Sequence, residues 1–190
     1  MVRKSVFSVL FVILLAAFCL AQNPGVNATP TITVQSSGTT NSLIAVNAVN
    51  SQIVWAAGRF GTFTMTTDGG KTWHAGVVPG AEGLQFRDVE AVSAKVAYLM
   101  SISPTGIPTE FRVYKTVDGG ATWTLQFQNE DPGAFYDCMS FWTPNKGLVF
   151  SDSNGTVFPV IRTFDGTHWR NIGANMPAPL PGEASFAASG

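Results

Sequence analysis

The sequence predicts an all-β chain, a β-propeller of four-stranded antiparallel blades. Three observations carry this. First, the octamer TTDGGKTW at 66–73 returns as TVDGGATW at 116–123 and, one residue shorter, as TFDGTHW at 163–169. The aspartates Asp68, Asp118 and Asp165 therefore stand 50 and 47 residues apart. A unit of that length with four strand-like stretches is the size of a propeller blade, and a β-solenoid would repeat at shorter spacing. Second, 19 Gly and 14 Phe with only 12% charged residues suit short strands joined by tight turns. Third, no stretch beyond residue 21 keeps a helical spacing of apolar side chains.

Residues 1–21 stand apart. Arg3 and Lys4 precede an apolar run from Val6 to Ala21, and Cys19 and Ala21 supply small residues before Gln22. This is the form of a secretory signal peptide cleaved after Ala21, predicted to be helical. An uncleaved membrane anchor is the alternative, although the run is short for a span. The chain is thus expected to be exported, periplasmic or extracellular. Cleavage removes Cys19 and leaves Cys138 alone, so no internal disulfide is expected. Cys138 reads as a small buried apolar residue.

Residues 22–30 (QNPGVNATP) read as a linker, and the propeller is expected over 31–190. TITVQ (31–35) is β-branched and alternating, and is predicted as a strand. Three blades follow at about 42–78, 84–129 and 134–173, and GEASFAASG (182–190) looks like the start of a fourth. Phe86-Arg87-Asp88-Val89 and Phe135-Tyr136-Asp137-Cys138 align as equivalent first-strand segments. Such a chain is expected to be the first part of a larger ring, an open arc that oligomerises or aggregates by itself.

The repeated octamer has a physical reading. Its glycines, Gly70 and Gly120 among them, permit positive φ where the chain reverses. The aspartate can accept hydrogen bonds from amides across the turn, and the preceding threonine, Thr66, Thr116 or Thr163, can complete the network. Trp73, Trp123 and Trp169 open the fourth strands and offer large faces to bury between sheets. These residues are expected to be structural.

The pattern S/T-x-D-x-G-x-x-W resembles the Asp-box of the BNR-repeat family. Together with LQFRDVEAV, YKTVDGGATWTLQF, GAFYDCMSFW and GEASFAASG, it resembles secreted bacterial relatives of the photosystem II stability/assembly factor, within the wider sialidase-like superfamily. The resemblance covers roughly residues 30–190. It implies a propeller with the Asp-boxes on its outer rim, and a scaffold that holds partner proteins.

A net charge of −1 gives no footprint for nucleic acid. No cofactor is implied. No metal site is expected either, because the Asp-box carboxylates fall in different blades and His74 and His168 adjoin separate tryptophans. The expected partner is a protein of the cell envelope. Its binding surface is expected at the axial end, around Arg59, Arg87, Asp88, Tyr136 and Asp137. Asp88 and Asp137 read either as paired carboxylates for acid/base work or as repeated structural hydrogen bonds. The alternative function is a sialidase-like glycoside hydrolase. That chemistry needs an arginine cluster and a Tyr–Glu pair; the available arginines are Arg59, Arg87, Arg112, Arg162 and Arg170.

Overall fold

A computed structural model describes residues 31–102 and 105–184. The signal segment, the linker and most of the expected fourth-blade start lie outside the described residues. Residues from Gln35 onward form one compact unit, and residues 31–34 belong to a separate N-terminal unit.

Twelve described strands form three antiparallel sheets. The first contains β1 (Leu43–Ala48), β2 (Val54–Gly58), β3 (Thr62–Thr66) and β4 (His74–Val77). The second contains β5 (Gln85–Ala91), β6 (Ala97–Ile102), β7 (Arg112–Thr116) and β8 (Thr124–Gln128). The third contains β9 (Tyr136–Thr143), β10 (Lys146–Ser151), β11 (Val160–Thr163) and β12 (Trp169–Asn171). Each sheet is a meander in chain order. Short loops permit only neighbouring antiparallel pairing, which is why sequence order and spatial order coincide. Among the described residues there is no α-helix, only 3₁₀ turns at Pro108–Glu110 and Gly173–Asn175.

The strand expected at 31–35 does not form. β-branched composition favours an extended chain, but a strand also needs a hydrogen-bonded neighbour, and each described sheet is filled by its own four strands.

The sheets stack in chain order, and each meets its predecessor through its first strand: β5 lies against β1 and β2, and β9 against β5 and β6. Two apolar layers result. Trp55, Ala57, Phe63 and Met65 of the first sheet pack on Phe86, Val89, Leu99 and Tyr114 of the second. Tyr98, Met100 and Val113 of the second, with Phe111 just before β7, pack on Tyr136, Met139, Val149 and Ile161 of the third. Alternation along the middle strands sends one set of side chains to each neighbour, so β2, β6 and much of β7 are buried on both faces.

Candidate functional site

The repeated turns are closed hydrogen-bond networks. The Thr66 hydroxyl accepts from the Gly70 amide at 2.9 Å and donates to Asp68 Oδ1 at 2.8 Å. Asp68 in turn accepts from the Thr72 amide at 2.9 Å and the Thr72 hydroxyl at 2.6 Å. Thr116, Asp118, Gly120 and Thr122 repeat this arrangement bond for bond. The third turn is one residue shorter, and His168 takes the threonine's place. Asp165 accepts from the His168 amide at 2.8 Å, and its other oxygen lies 2.7 Å from His168 Nδ1. The Thr72 hydroxyl and amide hold the Asp68 carboxyl well below the usual carboxylate range; Thr122 does the same for Asp118, and the His168 amide and ring for Asp165.

The same turns also set the sheet spacing. Trp123 stands edge-on to Trp55 and Phe63 of the preceding sheet, with ring centroids 6.2 and 5.1 Å away. Trp169 meets Tyr98 of its preceding sheet at 6.4 Å. A Cβ on Gly120 would come within 2.6 Å of the Phe63 ring, at φ of +88°. The turn glycine therefore serves both chain reversal and close approach to the next sheet. For the first sheet, residues 35–41 take the neighbour's role: Trp73 Nε1 donates to Gln35 Oε1 at 3.0 Å, and the Thr64 hydroxyl donates to the Ser37 carbonyl at 2.9 Å.

The first strands share a feature the sequence did not reveal. Each carries a register irregularity at the same place, across Ile44 in β1, Arg87 in β5 and Asp137 in β9. Counting the ladders back from Thr66, Thr116 and Thr163 makes Phe86 equivalent to Tyr136, Arg87 to Asp137 and Asp88 to Cys138. The expected alignment is thus off by one residue, and Asp88 and Asp137 are not equivalent. A one-residue slip reverses every side chain. Matching the two aspartates aligned letters and missed the buried aromatic face formed by Phe86 and Tyr136.

This register decides what the candidate residues do. Asp88 is buried; its Oδ2 accepts from the Met139 amide of β9 at 2.7 Å, and its Oδ1 from the Val89 amide at 2.8 Å. The first bond ties its sheet to the next one, and the second stays within its own strand. Glu90, two residues on and half-buried, accepts from the Phe141 amide. The two carboxylates thus cap alternate amides on the outer edge of β9. Burial, and then the neighbouring Asp88 charge, push the Glu90 carboxyl up to about 7. Burial also raises Asp88, against the pull of the Met139 and Val89 amides. Burial and the charges of Asp88, Asp137 and Glu90 raise the half-buried Cys138 thiol. At the register position of Glu90, β1 carries Asn47, whose side chain accepts from the Ala91 amide at 3.3 Å. Sequence reasoning passed over Glu90; its spacing of two from Asp88 on one strand was the available signal.

Tyr136 does not contribute to an exposed surface. It is 3% exposed, packs edge-on to Phe111 and Phe127, and its hydroxyl is pushed up to about 12 by burial and the Asp131 charge. Asp137 is 1% exposed. Arg87 is half-buried at the β5 irregularity, and Arg59 is exposed just after β2, where it bridges to Gln85.

The remaining arginines are spread over other elements. Arg112 in β7 donates to the Thr109 carbonyl at 2.8 Å and to the Tyr114 hydroxyl at 3.2 Å. Arg162 in β11 lies 3.6 Å over the Phe164 ring, and Arg170 is in β12. Among the described residues, no group of three His, Cys, Asp or Glu side chains is placed to hold a metal ion.

Four-stranded meanders stacked through their first strands define a β-propeller. Among solved structures, the chain is similar to YCF48 bound to a D1 peptide, with TM-score 0.55 and 18% identity over 70% of this chain and 41% of that one. It is also similar to YCF48 from Cyanidioschyzon merolae, with TM-score 0.53 and 18% identity over 73% of this chain and 43% of that one. The GH74 enzyme of Niastella koreensis gives TM-score 0.50 and 22% identity over 76% of this chain and 24% of the enzyme. These neighbours are β-propellers. The chain spans about two-fifths of the length of the YCF48 chains and about a quarter of the GH74 enzyme. No family model matches the chain, and no curated protein matches it by sequence.

Proposed function

We propose that this chain is a protein-binding scaffold of the cell envelope, built on Asp-box blades and delivered by its N-terminal segment as a signal peptide. The observation that carries the reading is the likeness to a propeller solved with a peptide bound to it. The use made of the carboxylates supports it. Asp68, Asp118 and Asp165 are committed to their own turns. Asp88 and Glu90 are committed to amides of the adjacent sheet. Side chains so engaged serve the frame on which a binding surface is displayed.

A glycoside hydrolase is the second reading, favoured by the likeness to the GH74 enzyme. The two readings separate experimentally. Immobilised protein should retain a defined envelope protein at stoichiometric levels after salt washing, and should release no sugar from polysaccharide substrates. Sugar release that is lost in Glu90→Gln or Asp88→Asn while the fold persists would overturn the scaffold reading.

A further inference from the structure

The hairpin joining β2 to β3 is made by Arg59, Phe60, Gly61 and Thr62, closed by the Thr62 amide donating to the Arg59 carbonyl at 3.2 Å. Both central residues have positive φ, +59° at Phe60 and +61° at Gly61. A two-residue hairpin of this kind selects Asn-Gly. Phe60 is the one non-glycine with positive φ among the described residues. A bulky side chain is disfavoured in that conformation. Burial does not offset the strain, because Phe60 is 57% exposed.

The tip is held from several sides. The Arg59 amide donates to the Ser42 carbonyl, the Gly61 amide to the Leu84 carbonyl, and the Val78 amide to the Gly61 carbonyl, each at 2.9 Å. A Cβ at Gly61 would lie 2.4 Å from the Ala81 carbonyl oxygen. The surrounding backbone therefore fixes the strained residue in place, a pattern that clusters at ligand-binding sites. Beside it is a cleft of about 360 Å³ lined by Arg59, Phe60, Gly83, Leu84 and Gln85. Gly83 faces open space, so a ligand backbone can approach there. The exposed Arg59 side chain makes no hydrogen bond or ion pair among the described residues.

We propose that this cleft binds an extended peptide that lays an apolar side chain on Phe60 and places a carboxylate on Arg59. This rests on the protein-binding reading above and names its site. An exposed guanidinium without a protein partner among the described residues, beside an exposed apolar ring, matches a carboxylate next to an apolar side chain. The carboxylate comes from an acidic side chain or from a chain terminus.

The test uses the full chain and three probes carrying an uncharged BODIPY label at the N-terminus: Leu-Asp-Leu-Asp-Leu amide, Leu-Ser-Leu-Ser-Leu with a free C-terminus, and Leu-Lys-Leu-Lys-Leu amide. Saturable polarisation is expected with the first probe, the second, or both, which identifies the carboxylate source, and none is expected with the third. Phe60→Asn should weaken binding tenfold or more while leaving the Tm equal or higher, because Asn tolerates this backbone. Arg59→Gln should weaken it similarly. No saturable binding of either carboxylate probe would overturn the site, as would unchanged binding by Phe60→Asn or a lowered Tm in that variant. An envelope protein retained equally by wild type and Phe60→Asn would refute the cleft and leave the scaffold standing. If neither probes nor envelope proteins bind, both readings fail.

Discussion

The junction between the second and third sheets should weaken as pH rises, and Glu90 is the reason. Its carboxyl stands at about 7 rather than the ordinary 4.5, through burial first and the Asp88 charge second. A folded-state value above the unfolded one means the unfolded chain releases its proton first. The contribution to stability is complete below about 4.5 and is lost as pH climbs through 7. For a fully buried group this gap corresponds to about 3.4 kcal/mol. Glu90 is only half-buried, so solvent screening reduces the expected effect to about 1–2 kcal/mol. Asp88 is also raised and adds in the same direction. The depressed carboxyls Asp68, Asp118 and Asp165 act oppositely, losing their contribution only in strong acid, outside this window. The groups facing Glu90 are Asp88 on its own strand and Cys138 on β9, with Tyr98 paired across from β6. No cation in this set offsets the second negative charge. The assay is urea unfolding at pH 5 and pH 8, for wild type and Glu90→Gln. Gln keeps an acceptor for the Phe141 amide and cannot ionise. Wild type should lose about 1–2 kcal/mol more than Glu90→Gln between the two pH values. Parallel pH profiles for the two proteins would refute the reasoning.

Asp88→Ala should cost about 1–3 kcal/mol by stranding the Met139 amide, whereas Asp88→Asn should recover most of it in the same unfolding assay. Thr116→Val should cost about 1–2 kcal/mol because the Gly120 amide loses its acceptor; Asp118→Ala should lower the Tm without changing retention of a bound partner, and an unchanged Tm would contradict a structural role for that turn. Gly120→Ala should destabilise by at least about 1–3 kcal/mol, since its backbone is left-handed and its Cβ would strike Phe63. If the N-terminal segment is a cleaved signal, sequencing of the exported protein should begin at Gln22; intact Met1 in the membrane fraction would establish an anchor.

The fold class was legible because it is written locally and repeatedly. Thr66-x-Asp68, Thr116-x-Asp118 and Thr163-x-Asp165 each close a turn using atoms within a few residues, so the motif carries its own structure wherever it occurs. Alternating strands between such turns admit little besides a meander. What lies between sheets was not legible. The first-strand register depends on an irregularity at Ile44, Arg87 and Asp137 that no local signal marks, and Tyr136 and Asp137, both expected at the surface, are buried. The link from Asp88 to Met139 joins residues 51 apart through a strand edge that exists only once the sheets have stacked. The strain at Phe60 depends on backbone bonds arriving from Ser42, Val78 and Leu84, which hold the hairpin tip from outside. By itself the sequence determined the repeated sheet, because short-range hydrogen bonds and alternation are properties of neighbouring residues. Which side chains the sheets share, shift in pKa or hold out to solvent was decided only by tertiary structure, because burial and edge pairing arise from residues distant along the chain.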